Sequence, residues 1–255
     1  HEFSDTNKFI DFHVSLERPQ GIRRWIKPNV EFLFDGHKPF KPLPLTQAYP
    51  MLEWGMNWCI ANYGHYFLII HAAVVAKGDK AILLPAPQGS GKSTLCAALV
   101  NSGWRLFSDE LAIISLENAS VYPCVRPVSL KNESINIIKS RFPAARLMPP
   151  VHDTTKGTVS LMKPALESVE QGDRPAKISA IVFPKYQHEA NGYFEEKDKS
   201  DTFIELIQNS FNYHVISKQS FDIAGDIVES ATCHEYVYSD LTKAIYDFNA
   251  LVSVD

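Results

Sequence analysis

The sequence predicts an α/β fold: a core built on a mixed sheet, joined to a small, mainly β N-terminal region with one helix. Three observations predict it. The apolar run Ala81–Ala86 leads directly into Gln88-Gly89-Ser90-Gly91-Lys92-Ser93-Thr94, and Leu95, Ala98, Leu99 and Val100 follow at helical spacing. Apolar runs that pair as hairpins flank this unit on both sides. Before them, Phe9 to Phe34 carries loosely alternating Phe12, Val14, Trp25, Ile26, Val30, Phe32 and Phe34, which reads as two or three short strands.

Taken in order, the proline cluster Pro39, Pro42 and Pro44 marks a connector without regular structure. Thr46 can cap a helix running to about Asn62, dense in Met51, Leu52, Trp54, Met56, Trp58, Cys59 and Ile60, with Gly64 as its stop. Phe67–Ala76 and Ala81–Ala86 flank Lys77-Gly78-Asp79-Lys80, a hairpin with Gly-Asp turn chemistry. Trp104 to Phe107 reads as a strand stopping at Ser108-Asp109-Glu110, and Leu111–Leu116 with Ala119–Val125 as a hairpin around Glu117-Asn118. Ser134 to Ser140 suggests a short helix and Met148 to Gly157 a polar loop. Lys177–Phe183 is a strand, Thr202–Asn212 a helix, Glu235–Tyr238 a strand and Leu241–Phe248 a helix. The predicted division is residues 1–65 for the N-terminal region and 66–255 for the core.

Composition sets outer bounds. With 255 residues, 45% apolar and 21% charged, the chain is an ordinary globular one, and nothing repeats at solenoid periods. A formal net charge of −4 gives no general drive toward nucleic acid or anionic lipid, so neither is an expected partner and phosphate binding must be local. The four cysteines (Cys59, Cys96, Cys124, Cys233) are far apart and read as reduced thiols of a cytoplasmic protein. Tyr66–Ala76, the longest apolar stretch, contains His71 and is too short to cross a bilayer, and no signal peptide opens the chain. His1-Glu2-Phe3, which lack an initiator Met, are left aside as an expression remnant.

The chemistry concentrates in the glycine-rich stretch. It matches G-x-x-x-x-G-K-[ST] except at the first position, where Ala86 stands for Gly. Backbone N–H groups from Gln88 to Thr94, with a helix N-terminus behind them, can cradle the phosphates of ATP. Lys92 would neutralise the β- and γ-phosphates and the Ser93 hydroxyl would bind Mg²⁺. Sixteen positions after Ser93 comes Asp109-Glu110, at a strand end. One carboxylate can serve Mg²⁺ and the other accept a proton from an attacking hydroxyl, although acidic residues also end strands for purely local reasons. Asp109, the shorter and directly after the strand end, is expected to be the base, with Glu110 on Mg²⁺ or its water shell. His71, on an apolar strand, is either a hydrogen-bonded core histidine or a site residue. Arg126, Lys131 and Lys156 are further candidates for phosphate, Lys156 having the better setting in a Thr-Thr-Lys-Gly loop.

The order of these residues resembles the HPr kinase/phosphorylase family, and within it the bacterial HprK-related kinase A group. His71-Ala72-Ala73-Val74-Val75, the Gln88–Thr94 loop, Phe107–Glu110, Arg126–Asn132 and Thr154–Ser160 carry the resemblance, over roughly Tyr66 to Phe183. It implies a P-loop protein serine kinase with a core related to ATP-dependent phosphoenolpyruvate carboxykinase. By that resemblance Gly89, Gly91, Lys92 and Ser93 hold ATP and Mg²⁺, and one member of the pair at Asp109 and Glu110 is the general base. His71 matches the family histidine that positions the acceptor. The family's E-I-R-G-L-G signature has no literal counterpart here, with Arg126 or Lys156-Gly157 as stand-ins. The acceptor is therefore open, relatives of this type including kinases of ribosomally made peptides, and a homo-oligomer is compatible with the sequence. A nucleotide-binding regulatory module and a small-molecule hydroxyl kinase are the alternatives.

Overall fold

The computed structural model describes residues 11–87 and 89–253, which form two compact units, one ending at Tyr63 and one beginning at Gly64. In the first unit, β1 (Val14–Glu17), β2 (Asn29–Phe34) and β3 (Leu43–Pro44) form an antiparallel sheet that packs on α1 (Ala48–Tyr63). Val30, Phe32, Met51 and Cys59 form its buried core, and around them the half-buried Phe34 and Phe40 both meet the Trp58 ring edge-on. Two local expectations change. Pro44, expected in an unstructured connector, pairs with Asn29 at an edge, where a missing N–H costs nothing. Thr46 sits inside a 3-10 turn (Leu45–Gln47) that precedes the helix rather than capping it.

The second unit is mixed α/β. Its elements are β4 (Phe67–Lys77), β5 (Lys80–Pro85), α2 (Lys92–Val100), β6 (Arg105–Ser108), β7 (Leu111–Ser115), β8 (Val121–Tyr122), β9 (Val128–Lys131) and α3 (Glu133–Arg141). Then follow β10 (Val151–Thr154), β11 (Gly157–Met162), α4 (Leu166–Glu170), β12 (Lys177–Tyr186), β13 (Tyr193–Glu196), α5 (Lys199–Gln208), α6 (Tyr213–Ile216), α7 (Lys218–Ser230), β14 (Thr232–Tyr238) and α8 (Leu241–Ser253). The main sheet runs β13-β14-β12-β5-β4-β7-β8, with β6 also paired to β4. It is mixed: β12 lies parallel to β5 and β14, while the remaining pairs are antiparallel.

Period-2 alternation divides the core between the two faces of this sheet. Ala73, Val75, Ile82 and Leu84 pack against α2, α3 and α8; Leu68, Ile70, Val74 and Leu83 pack against α5 and α7. Each buried Val, Leu or Ile contributes about 1.5–3 kcal/mol, so strand register is strongly fixed. His71 shares the parity of Ala73 and Val75, which turns it toward α2.

Where β5 ends, the chain supplies another edge for β4. The His71 N–H donates to the Asn209 carbonyl (2.8 Å), and the buried Asn212 side chain accepts from Ile69 N–H (3.0 Å) and donates to the Phe67 carbonyl (2.8 Å). The segment expected as a polar loop, Met148–Gly157, contains β10, which pairs with β11 in a small antiparallel sheet completed by β9. Val151 opposite Val159 stabilises a strand that its polar neighbours conceal.

Candidate active site

Strand pairing brings three sequence-distant motifs to one level. Pro85 lies opposite Ala72, so the glycine-rich turn leaves the sheet beside His71. On the other edge of β4, Val74 pairs with Ser108 of β6 and His71 with Leu111 of β7. Asp109-Glu110 is therefore the irregular step between two strands that share one partner. The Ser108 hydroxyl fixes that step by accepting from the N–H groups of Glu110 (3.2 Å) and Leu111 (2.9 Å).

Two parallel strand ends anchor the turn. The Ser90 carbonyl accepts from Tyr186 N–H (2.9 Å), and the Gly91 carbonyl from the Tyr238 hydroxyl (3.0 Å). Gly91 has φ +89°, and a Cβ there would lie 2.5 Å from the Tyr238 oxygen and 3.1 Å from Tyr186 Cβ. Gly91→Ala is thus expected to lose phosphate binding and to lower stability by more than the ~1–2 kcal/mol of left-handed strain alone, read by calorimetry and thermal unfolding. Gly89→Ala, with φ +92° but open space, should show the strain alone. Ala86, where the motif has its first glycine, is buried and is not among the residues with positive φ, so this turn has no need of glycine there. Gln88, assigned to phosphate on sequence grounds, lies outside the described residues.

Beyond the turn is a cleft of about 430 Å³. It is lined by the glycine turn and the start of α2, from Gly89 to Thr94, together with His71 and Glu110. Ser129, Lys131, Asn132, Ser134 and Lys156 line it as well. Arg126 lies on the connection between β8 and β9 and is not among the lining residues. Ser129, Asn132 and Ser134 were not singled out in the sequence. Ser129 was discoverable, because Val128 and Leu130 are apolar and the alternation turns Ser129 and Lys131 to the opposite side.

Lys92 is the first residue of α2 and only 7% exposed. Its ammonium donates to His71 Nε2 at 3.1 Å. Burial, reinforced by the Lys92 charge, lowers the His71 pKa to about 4, so the imidazole is neutral at pH 7 and accepts this bond. The two carboxylates occupy contrasting environments. Asp109 is 6% exposed: Oδ2 accepts from Ser129 N–H (3.0 Å), while Oδ1 is buried without a hydrogen-bond partner. Burial, then repulsion from Glu110, raises its pKa to about 6, against Lys92, the Ser129 amide and the nearby Ser93 hydroxyl. Burial also acts to raise the Glu110 pKa, but Lys156, Lys131, His71 and Lys92 outweigh it and hold the carboxyl below its ordinary value. Glu110 pairs with Lys156 at 3.8 Å.

These shifts imply an opposed pH dependence. Asp109 binds its proton more tightly folded than unfolded, so its contribution is complete below about pH 4 and is lost as pH rises through about 6, by up to about 3 kcal/mol. His71 binds its proton less tightly when folded, so its contribution is complete above about 6.5 and is lost as pH falls toward 4. In metal-free protein the two offset each other. Asp109→Asn should leave stability rising from pH 4 to 6.5, and His71→Asn should leave it falling, measured by denaturant midpoints across that range. Parallel profiles for the two variants would contradict the assignment.

Among the described residues no group of three or more His, Cys, Asp or Glu could hold a metal. Mg²⁺ needs less, since it keeps several waters and takes one or two protein carboxylates beside substrate phosphates. The unpartnered Asp109 Oδ1, with the Ser93 hydroxyl close by, suits such an ion. Among the described residues no helix is long and apolar enough to cross a membrane.

No family model matches the chain, and neither does any curated protein. Among solved structures it is similar to the Hpr(Ser) kinase/phosphatase from Coxiella burnetii, at 10% identity over 73% of this chain and 99% of that chain, with a TM-score of 0.31. A superposition at that score fixes neither the family nor the chemistry.

Proposed function

We propose that the cleft binds Mg-ATP and transfers its γ-phosphoryl group to a hydroxyl, on a serine of a protein or ribosomally made peptide. One observation carries the proposal: a left-handed glycine turn, a buried lysine at a helix start and Glu110 line one cleft, with Asp109 buried close to Ser93. The serine acceptor rests on the sequence resemblance to HPr kinase/phosphorylase.

In this reading the turn's N–H groups and Lys92 hold the β- and γ-phosphates. Mg²⁺, when bound, neutralises charge between those phosphates. Ser93 and Asp109 would hold it. Glu110, which lines the cleft, accepts the proton as the acceptor oxygen attacks the γ-phosphorus. The bond from that phosphorus to the β–γ bridging oxygen breaks, and ADP leaves with the electron pair. Neutral His71 orients Lys92 before the nucleotide arrives and faces the acceptor side afterwards. These carboxylate roles exchange those expected from the sequence, because burial puts Asp109 beside Ser93 and leaves Glu110 facing the cleft.

The test is transfer from γ-labelled ATP to serine-containing candidate peptides, with Mg²⁺ present or chelated. Label on serine, dependent on Mg²⁺, is expected. Binding of ATP without transfer to peptides, small hydroxyl compounds or water would replace this reading by the nucleotide-binding regulatory module.

A further inference from the structure

The cleft also holds, on β9, a cation for which no carboxylate among the described residues lies at ion-pair distance. Alternation along β9 buries Val128 and Leu130 completely in the core beneath α2 and α3, and this turns Ser129 and Lys131 into the cleft. The Ser134 hydroxyl pins the Lys131 backbone, accepting from its N–H (2.7 Å) and donating to its carbonyl (2.6 Å). Lys92 has His71 at 3.1 Å and Lys156 has Glu110 at 3.8 Å. Among the described residues no carboxylate lies within ion-pair distance of Lys131. Its charge nevertheless reaches the whole cleft, lowering the pKa of His71, Lys92 and Lys156 and helping to hold Glu110 ionised.

We propose that Lys131, which reaches the cleft from β9 and not from the glycine turn, contacts the transferred phosphoryl group as a second cation to Lys92 and a further catalytic residue. The inference rests on the kinase reading of this cleft. In the ligand-free protein the Lys131 charge acts against those of Lys92 and Lys156, and an anion held among the three would offset that repulsion. A loose phosphoryl-transfer transition state spreads charge over three equatorial oxygens, which one lysine cannot surround. Lys131 supplies a second cation from another element, on a strand rigid enough to fix its position. No bond to its nitrogen forms or breaks.

The geometry predicts effects of opposite sign in one variant. Lys131→Met keeps the length of the side chain and removes the charge. It should weaken binding of magnesium tripolyphosphate about tenfold by calorimetry, while the thermal midpoint of the ligand-free protein stays level or rises. Lys131→Arg should bind within about threefold of wild type, and Lys139→Gln, an exposed charge removed from α3, should change nothing. A Lys131→Met protein that binds tripolyphosphate as tightly as wild type overturns the inference alone. Loss of midpoint and affinity together would make Lys131 structural, which also overturns it. Wild-type protein that binds neither tripolyphosphate nor Mg-ATP would remove the kinase reading and this inference with it.

Discussion

Replacing Lys92 with alanine is expected to abolish measurable Mg-ATP affinity and to lower phosphoryl transfer by about 10²–10³, with the fold retained. The rate loss is that of one preorganised donor removed from a developing anion in a water-poor site. The fold should survive because the buried ammonium is itself held at a cost. Burial lowers its pKa, and Lys131 adds to the effect, against the attraction of Asp109 and Glu110. Alanine is also the better residue for a first helical turn. Left behind are His71 Nε2, a neutral acceptor whose lost hydrogen bond costs about 1 kcal/mol, and the Asp109 and Glu110 carboxyls, which lose the Lys92 charge that lowers their pKa. With the Lys92 charge gone, the His71 pKa should rise from about 4, a shift that NMR titration reads independently of activity. Turnover near wild type in this variant would take the glycine turn out of the mechanism.

Much of the second unit was legible because its signals are local. The Phe67–Lys77 and Lys80–Pro85 hairpin follows from two apolar runs around Gly78-Asp79, and Gly78 takes the left-handed φ (+63°) that such a turn needs. The strand, turn and helix around Gly91 were legible for the same reason. Illegible were elements whose stabilising partners lie far away in sequence. The strand Val151–Thr154 is polar after Val151 and exists because Val159 and Gly157 pair with it. The helix Lys218–Ser230 was missed although Ile223, Ile227 and Val228 bury one face, since polar residues between them mask the period.

The site divides in the same way. Lys92, Ser93 and the glycines announce themselves by spacing. That His71 meets Lys92 follows only from the parity of β4, and the functional reading of this histidine could not be separated from the core reading without it. Tyr186 and Tyr238 hold the turn by a backbone amide and a hydroxyl, contacts with no signature in the sequence. Burial is the quantity the sequence conceals most completely. Asp109 and Glu110 are adjacent in the chain, yet one faces Ser93 behind the cleft and the other the open space beside Lys156.

That difference decides the second large effect. A general base must come within about 2.6–3.2 Å of the acceptor hydroxyl. Glu110 lines the cleft and can meet that condition, while Asp109, 6% exposed and bonded to the Ser129 amide, is screened from an incoming side chain. The low Glu110 pKa keeps it ionised at pH 7, and a loose transition state asks little basicity of it until the transfer is nearly complete. Glu110→Gln should therefore bind Mg-ATP normally and transfer phosphate about 10²–10⁴ more slowly. Asp109→Asn should instead weaken Mg-ATP binding and shift the Mg²⁺ requirement upward, with part of the rate recovered at high Mg²⁺. Measuring Mg-ATP affinity beside the single-turnover rate separates the two variants. If Asp109→Asn kept its affinity and lost the rate while Glu110→Gln lost affinity, the base would be the buried aspartate. The acceptor would then have to displace the Ser129 contact to reach it.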